Sequence, residues 1–360
     1  MISLFDPVKL GAVTARNRIL MAPLTRARAT RNHVPTPIMA DYYRQRASAG
    51  LIISEGIGVS QQGLGWPYAA GIWSAEQVEA WKPVTQAVHD GGSLIFAQLW
   101  HMGRLVHSSV TGEQPVSSSP ITAPGHAHSY DGNKPYEQPR ALEEAEIPAL
   151  IATYVTAARN ARDAGFDGVQ IHAANGYLID EFLRNGVNQR QDAYGGSAEN
   201  RTRLLREITQ TVADAIGADR TAVRVSLNGA SQGTDDSDPA SLSIAVAKAL
   251  EPIGLAFLEM RELRPDGTRG ATDVPRQSPI VRRHFTGPLV LNSDYDAARA
   301  HEDLTSGLAQ AISFGRPFLA NPDLPTRLSV GAPLNPLRAD TLYSQGAEGY
   351  VDYPTLAKAG

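Results

Sequence analysis

The chain has 360 residues, is 42% hydrophobic and 19% charged, and carries a formal net charge of −4. That balance suits a globular protein with a large core and argues against nucleic acid or an anionic membrane as partner. It contains no cysteine, which excludes disulfides, thiolate metal sites, iron–sulfur clusters and a Cys nucleophile together.

Residues 1–7 lack a basic stretch followed by an apolar core, and no apolar run approaches the ~20 residues of a membrane span. The expectation is a cytoplasmic protein. Residues 1–17 read as a hairpin turning near Gly11 and Ala12. Residues 18–23 form a first buried strand, ending at Leu24 and Thr25. Helical spacing follows over 37–48, with Ile38, Met39, Tyr42 and Tyr43 on one side. Residues 51–54 are a second strand. A loop rich in Gly and aromatics runs from 56 to 73, and a helix with Ser74 as N-cap runs to 89. Residues 94–97 are a third strand leading to Gln98 and Trp100.

The stretch 101–141 holds Ser, Thr, Pro and Gly without apolar periodicity and reads as a structureless insertion, a lid or a surface loop. Helical spacing returns over 143–164. A fourth strand, 166–171, ends in His172-Ala173-Ala174-Asn175-Gly176-Tyr177. Helices near 200–216 and 240–252 separate strands at 222–226 and 256–259, and further strands fall at 288–291 and 311–314. Eight apolar runs of this kind, most of them separated by helices, argue for an α/β (β/α)8 barrel spanning residues 1–360 as one domain, with an N-terminal hairpin and a lid after the third strand. No GxGxxG follows a strand, which counts against a Rossmann unit.

In a barrel the C-terminal strand ends face the active site. Here they carry Pro23, Thr25, Gly56, Gln98, Trp100, His172, Asn175, Arg224, Asn292, Ser293, Gly315 and Arg316. His172, Asn175 and Tyr177 bring two hydrogen-bond donors and a proton-bearing phenol into six residues, suited to holding a carbonyl oxygen and protonating a neighbouring carbon. An isolated HxxN is more often a strand end capping its loop. Arg224 interrupts an apolar strand, so it is either ion-paired inside the barrel or faces a ligand that becomes negative. The last two strand ends suggest a phosphate site. An amide, a hydroxyl, a cation and a phosphate site describe a flavin mononucleotide pocket, without excluding another phosphorylated ligand.

Five segments carry a resemblance: NRILMAPLTR at 17–26, QLWHMGR at 98–104, GFDGVQIHAANGYLIDEFLRNGVNQRQDAYGGSAENR at 165–201, AISFGRPFLANPDLP at 311–325 and GYVDYP at 349–354. The chain resembles the old yellow enzyme family of FMN-dependent ene-reductases over essentially its whole length. The resemblance implies a tightly but non-covalently bound FMN, with NADPH or NADH as electron donor and activated alkenes as substrates. It places Pro23, Leu24, Thr25, Gly56, Gln98 and Arg224 around the flavin ring, and Asn292, Ser293, Gly315 and Arg316 at its phosphate. It makes His172 and Asn175 the grip on the substrate's carbonyl or nitro oxygen and Tyr177 the proton donor. Trp100, Trp66, Tyr68 and Tyr343 would line the substrate pocket. No metal is expected, and the chain would act as a monomer or homodimer.

Three positions depart from the family pattern: Gly56 where Ala is frequent, which would free the loop over the flavin; Leu227 where Pro is usual; and Asn175 in a His/Asn rather than a His/His pair. An iron–sulfur relative is excluded by the missing cysteines, and the scarcity of strand-end ligands counts against a metal-dependent hydrolase. A flavin reductase or flavin-binding protein with another acceptor stays open as the alternative.

Overall fold

The structure is a computed structural model and describes residues 2–268 and 270–356. Eight parallel strands close into a barrel. In chain order they are β1 (Ile19–Met21), β2 (Leu51–Gly58), β3 (Ile95–Trp100), β4 (Gly168–Ala173), β5 (Thr221–Val225), β6 (Phe257–Arg261), β7 (Leu289–Asn292) and β8 (Ala311–Phe314). Around them lie α1 (Pro37–Gln45), α2 (Ala75–Asp90), α3 (Ile147–Asp163), α4 (Leu178–Leu183), α5 (Arg203–Ile216), α6 (Pro239–Leu250) and α7 (Ala297–Thr305), with several shorter turns. Local chemistry starts the helices: Ser74 accepts from the Gln77 amide at 3.3 Å, and Asp238 from the Ser241 amide at 3.0 Å.

The period-two alternation of the strands sorts their side chains into two cores. Ile19, Met21, Ile52, Ile171, Val223, Val225 and Leu291 face outward into the layer shared with the helices. Leu20, Leu51, Ile53, Phe96, Ala222, Phe257, Val290 and Ala311 form a second cluster with the N-terminal hairpin, Val8–Leu10 and Val13–Ala15. The hairpin is tied to the barrel floor by the Ala12 amide, which donates to Asp219 O at 2.8 Å. Moving two residues along each strand from this apolar floor reaches Gln98, Arg224, Glu259, Asn292 and Ser313, with Gln170 beside Gln98. The barrel is therefore sealed at one end and polar toward the other.

Three expectations change. The second strand does not stop at 54 but continues to Gly58, because its register slips between Ile53 and Gly56 and then resumes, with Gly56 opposite Gln98. Gly56 thus belongs to a strand rather than a free loop. The 101–141 insertion is not structureless: it holds a short helix (Ser108–Thr111), a parallel pair of two-residue strands (Val116–Ser117 with Arg140–Ala141) and a hairpin (His126–Ser129 with Gly132–Pro135). Each piece is too short to print a period on the sequence. The helix α4 was not expected. All six of its residues are buried, so it has no polar face to reveal a helical stripe. No helix among the described residues is long and apolar enough to cross a membrane.

Candidate active site

The C-terminal strand ends surround a cavity of about 800 Å³, with a recess of about 90 Å³ at its inner end. Pro23, Thr25, Asn175, Tyr177 and Arg224 line both. Gly56, Gln98, Trp100 and His172 line the recess. Leu24, Trp66, Asn292, Ser293, Gly315, Arg316 and Tyr343 line the larger cavity. Tyr68 lines neither. Its ring packs edge-on against Tyr130 of the insertion hairpin, centroids 5.2 Å apart, so its placement in the substrate pocket is not supported.

A polar network fills the barrel just below the recess. Gln98 Nε2 donates to Gln170 Oε1 at 2.9 Å, and Gln170 Nε2 to Glu259 Oε2 at 2.6 Å. Arg224 Nη1 donates to Glu259 Oε1 at 2.6 Å, and its Nη2 to Asn292 Oδ1 at 2.9 Å. Ser313 Oγ also donates to Glu259. Arg224 is therefore ion-paired inside the barrel, the first of its two readings, and it also lines the cavity. Asn292 uses its amide elsewhere, since its Nδ2 donates to Ser313 O at 2.8 Å. Its side chain is thus engaged in the Arg224 network, while the residue lines the cavity beside Ser293, Gly315 and Arg316.

Two buried donors near the recess, Arg224 Nε and Trp100 Nε1, have no acceptor among the described residues. Buried donors are seldom left so, and this pair asks for a ligand with an acceptor edge. At the outer end of the cavity Arg316 Nη2 meets Asp294 Oδ1 at 2.9 Å, and Thr268 N donates to Asp294 Oδ2 at 3.0 Å. Ser293 and Asp294 both adopt left-handed backbone, φ 107° and 47°. The long cavity, the unpartnered donors at one end and the guanidinium at the other fit a flavin ring carrying a phosphate tail.

The loop after β4 is held from behind. Asn175, at φ 62°, donates its backbone amide to Ser226 Oγ at 2.9 Å. The Gly176 amide donates to Asp180 Oδ2 at 2.9 Å, and the buried Asp180 is paired with Arg184 at 3.0 Å. The turn delivers Tyr177 to the start of α4, with its ring edge-on to His172 at 5.0 Å and to Trp100 at 4.9 Å. The Ala174 amide donates to His172 Nδ1 at 3.3 Å. A backbone N–H fixes Nδ1 as the acceptor, so the neutral ring carries its proton on Nε2. Burial, with the charges of Arg224 and Arg261 added, holds the His172 pKa well below the usual histidine value. Burial also raises the Tyr177 pKa, helped by Tyr136 and Tyr343 and opposed by Arg261. Both groups are thus kept neutral, each with a proton to offer.

Above the recess, Trp66 packs against Tyr343 at 5.0 Å and against His128 of the insertion hairpin at 4.4 Å. Three distant chain segments meet in this aromatic roof. Sequence reasoning missed Gln170, Glu259, Arg261, Asp294 and Thr268. Glu259 and Arg261 were detectable in principle. They sit two residues apart at the end of an apolar strand, as Arg224 and Ser226 do at the end of β5.

A family model described as the NADH:flavin oxidoreductase / NADH oxidase family matches residues 3–335. The putative 12-oxophytodienoate reductase 11 of Oryza sativa subsp. japonica is 40% identical over 359 residues, covering 98% of this chain and 97% of the relative. Among solved structures, the old yellow enzyme homologue from Zymomonas mobilis is 62% identical with TM-score 0.97, covering 98% of this chain and 99% of that one. Morphinone reductase is 43% identical with TM-score 0.93, covering 98% and 96%. The chain belongs to the NADH:flavin oxidoreductase / NADH oxidase family as a homologue of the old yellow enzymes, and membership implies FMN and a nicotinamide nucleotide as its redox partners.

Proposed function

We propose that this flavin oxidoreductase is an ene-reductase that reduces alkenes activated by a carbonyl or nitro group, such as enones, enals and maleimides, at the expense of NADPH or NADH. The observation that carries the reading is the convergence of His172, Asn175 and Tyr177 on one recess, all three lining it. Pro23, Leu24, Thr25, Gly56, Gln98 and Arg224 would hold the flavin ring, and Ser293, Gly315 and Arg316 its phosphate. Bound there, FMN would supply the hydride chemistry that links oxidation of NAD(P)H to reduction of the alkene at its β carbon.

The protein's part is binding, orientation and proton supply. His172 Nε2–H and the Asn175 amide donate to the substrate oxygen, where negative charge builds as the β carbon is reduced. Because both donors are fixed beforehand, they need little reorganisation as that charge develops. Tyr177 gives its phenolic proton to the α carbon, and the resulting phenolate is reprotonated from solvent through the cavity mouth. Trp66, Trp100 and Tyr343 shape the apolar walls. Nucleotide and alkene would both stack on the flavin face that His172, Asn175 and Tyr177 overlook, so they would use it in turn, with ping-pong kinetics.

Two anaerobic absorbance traces on FMN-loaded protein test this. NADPH should bleach the flavin band and 2-cyclohexenone should restore it. Bleaching without recovery would leave a flavin reductase with another acceptor.

A further inference from the structure

Arg261 ends β6 and lines the large cavity together with Asn175 and Tyr177. It reaches past β5, which lies between β6 and β4 in the barrel, and donates from Nη1 to Asn175 Oδ1 at 3.1 Å. A guanidinium has donors only. The amide atom facing it must therefore be the oxygen, and Nδ2, with both its N–H bonds, is turned the other way. The contacts that fix the backbone here, Asn175 N to Ser226 and Gly176 N to Asp180, leave the side-chain amide free to turn end over end. The two ends of an amide have nearly the same shape and opposite hydrogen-bonding character. Something must choose between them, and Arg261 is placed to do so.

We propose that Arg261 is a positioning residue that sets the polarity of the Asn175 amide, presenting its NH2 end to the ligand and restricting the recess to substrates that offer an acceptor oxygen there. The arrangement parallels His172. In each case a donor behind the side chain occupies its one acceptor atom: the Ala174 amide on His172 Nδ1, the guanidinium on Asn175 Oδ1. Each donor thereby commits the residue to donate forward. The positive charge of Arg261 works in the same direction on His172, adding to the burial that keeps the ring neutral. The ligand class that follows is a ketone, aldehyde, nitro or phenolate oxygen. A group that presents only an N–H donor at that point, with no acceptor atom, would face two donors and be rejected.

The inference rests on the ene-reductase reading for its substrate, so the test uses a binding readout that needs no turnover. The probe is 4-hydroxybenzaldehyde, whose phenolate oxygen is a pure acceptor, titrated into FMN-loaded protein and followed by the flavin absorption. Arg261→Met should weaken its binding about tenfold or more, as expected for losing a hydrogen bond to a charged group. In an Asn175→Ala background the same change should matter less than about twofold, because its target is gone. Arg261→Lys should recover most of the loss. Arg261→Glu, which can only accept, should turn the amide round and bind worse than Arg261→Met. FMN retention and melting temperature, unchanged in all variants, separate positioning from general damage. Equal losses with and without Asn175 would overturn the proposal in favour of direct contact or long-range charge. Full binding by Arg261→Met would overturn it too. Wild-type protein that binds the probe but never turns over 2-cyclohexenone would defeat the ene-reductase reading while leaving the amide orientation decided by the same titrations.

Discussion

Arg224 on β5 and Glu259 on β6 stand opposite each other in the barrel ladder and form an ion pair at 2.6 Å, with side chains only 5% and 0% exposed. The carboxylate also receives Gln170 and Ser313, so one residue neutralises a cation and satisfies two further buried donors. The pair is what allows a guanidinium to sit at the floor of a ligand cavity without unfolding the barrel.

Removing Glu259 should therefore be felt first as stability. Glu259→Leu leaves Arg224 buried and uncompensated, which costs about 3–5 kcal/mol. Chemical unfolding of the FMN-free protein measures it. A loss under about 1 kcal/mol would show that the network contributes little to holding the barrel mouth.

Tyr177→Phe keeps the ring that packs on His172 and Trp100 and removes only the proton. Stopped-flow traces should show flavin reduction by NAD(P)H within a few-fold of wild type. Reoxidation by 2-cyclohexenone should slow by about 100-fold or more, the usual contribution of a positioned general acid. Equal slowing of both halves would remove Tyr177 from the proton-donor role.

The same environment fixes a pH response. His172 is held below the usual histidine value and Tyr177 above the usual phenol value, so neither changes charge between about pH 6 and 9. The rate of flavin reoxidation by the enone should be flat across that range, and an inflection near 6.5 would mean an ordinary histidine. Stability behaves differently. His101 is buried and pushed down to about 4. Below about 6.5 the unfolded chain takes up protons that the native His101 and His172 refuse, so the stability these two contribute falls as pH drops from there toward 4, against an opposite contribution from the buried Glu55 and Glu181, which burial pushes up to about 8. Thermal melts at stepped pH should show the wild type losing stability relative to His101→Gln as the pH falls through this range, and a constant difference between the two would remove His101 from the response.

The barrel was legible because its strands are buried on both faces and separated by helices with clear stripes. The ring of polar strand ends follows from topology alone, which is why the sequence itself puts His172, Gln98 and Arg224 at the barrel mouth. What escaped depends on three-dimensional pairing. Asn292 reads as an anion ligand beside Ser293, and its tie through Oδ1 to Arg224 and through Nδ2 to Ser313 O was not foreseen. Tyr68 reads as a pocket aromatic, yet a hairpin from the insertion supplies Tyr130 to cover it. No local pattern encodes either partner, because each lies more than 20 residues away in the chain.

Gly56 gives the sharpest test of the recess itself. A Cβ built there would lie 2.6 Å from Trp100 Cε3 and 2.9 Å from Cδ2, closer than carbon atoms approach without displacement. The glycine is therefore a seat for the indole rather than a source of loop freedom. The indole is 2% exposed and wedged edge-on against Tyr177, so it cannot simply swing into solvent. Gly56→Ala should cost about 1–3 kcal/mol by overpacking. It should also push the ring toward Tyr177 and His172, raising the KM for 2-cyclohexenone. In a Trp100→Ala background the added methyl meets no indole, and the same glycine change should then leave stability unaltered within error. Chemical denaturation of the four proteins closes the cycle. A penalty that persists without Trp100 would place the clash elsewhere on β2, and the shape of the recess would not depend on this contact.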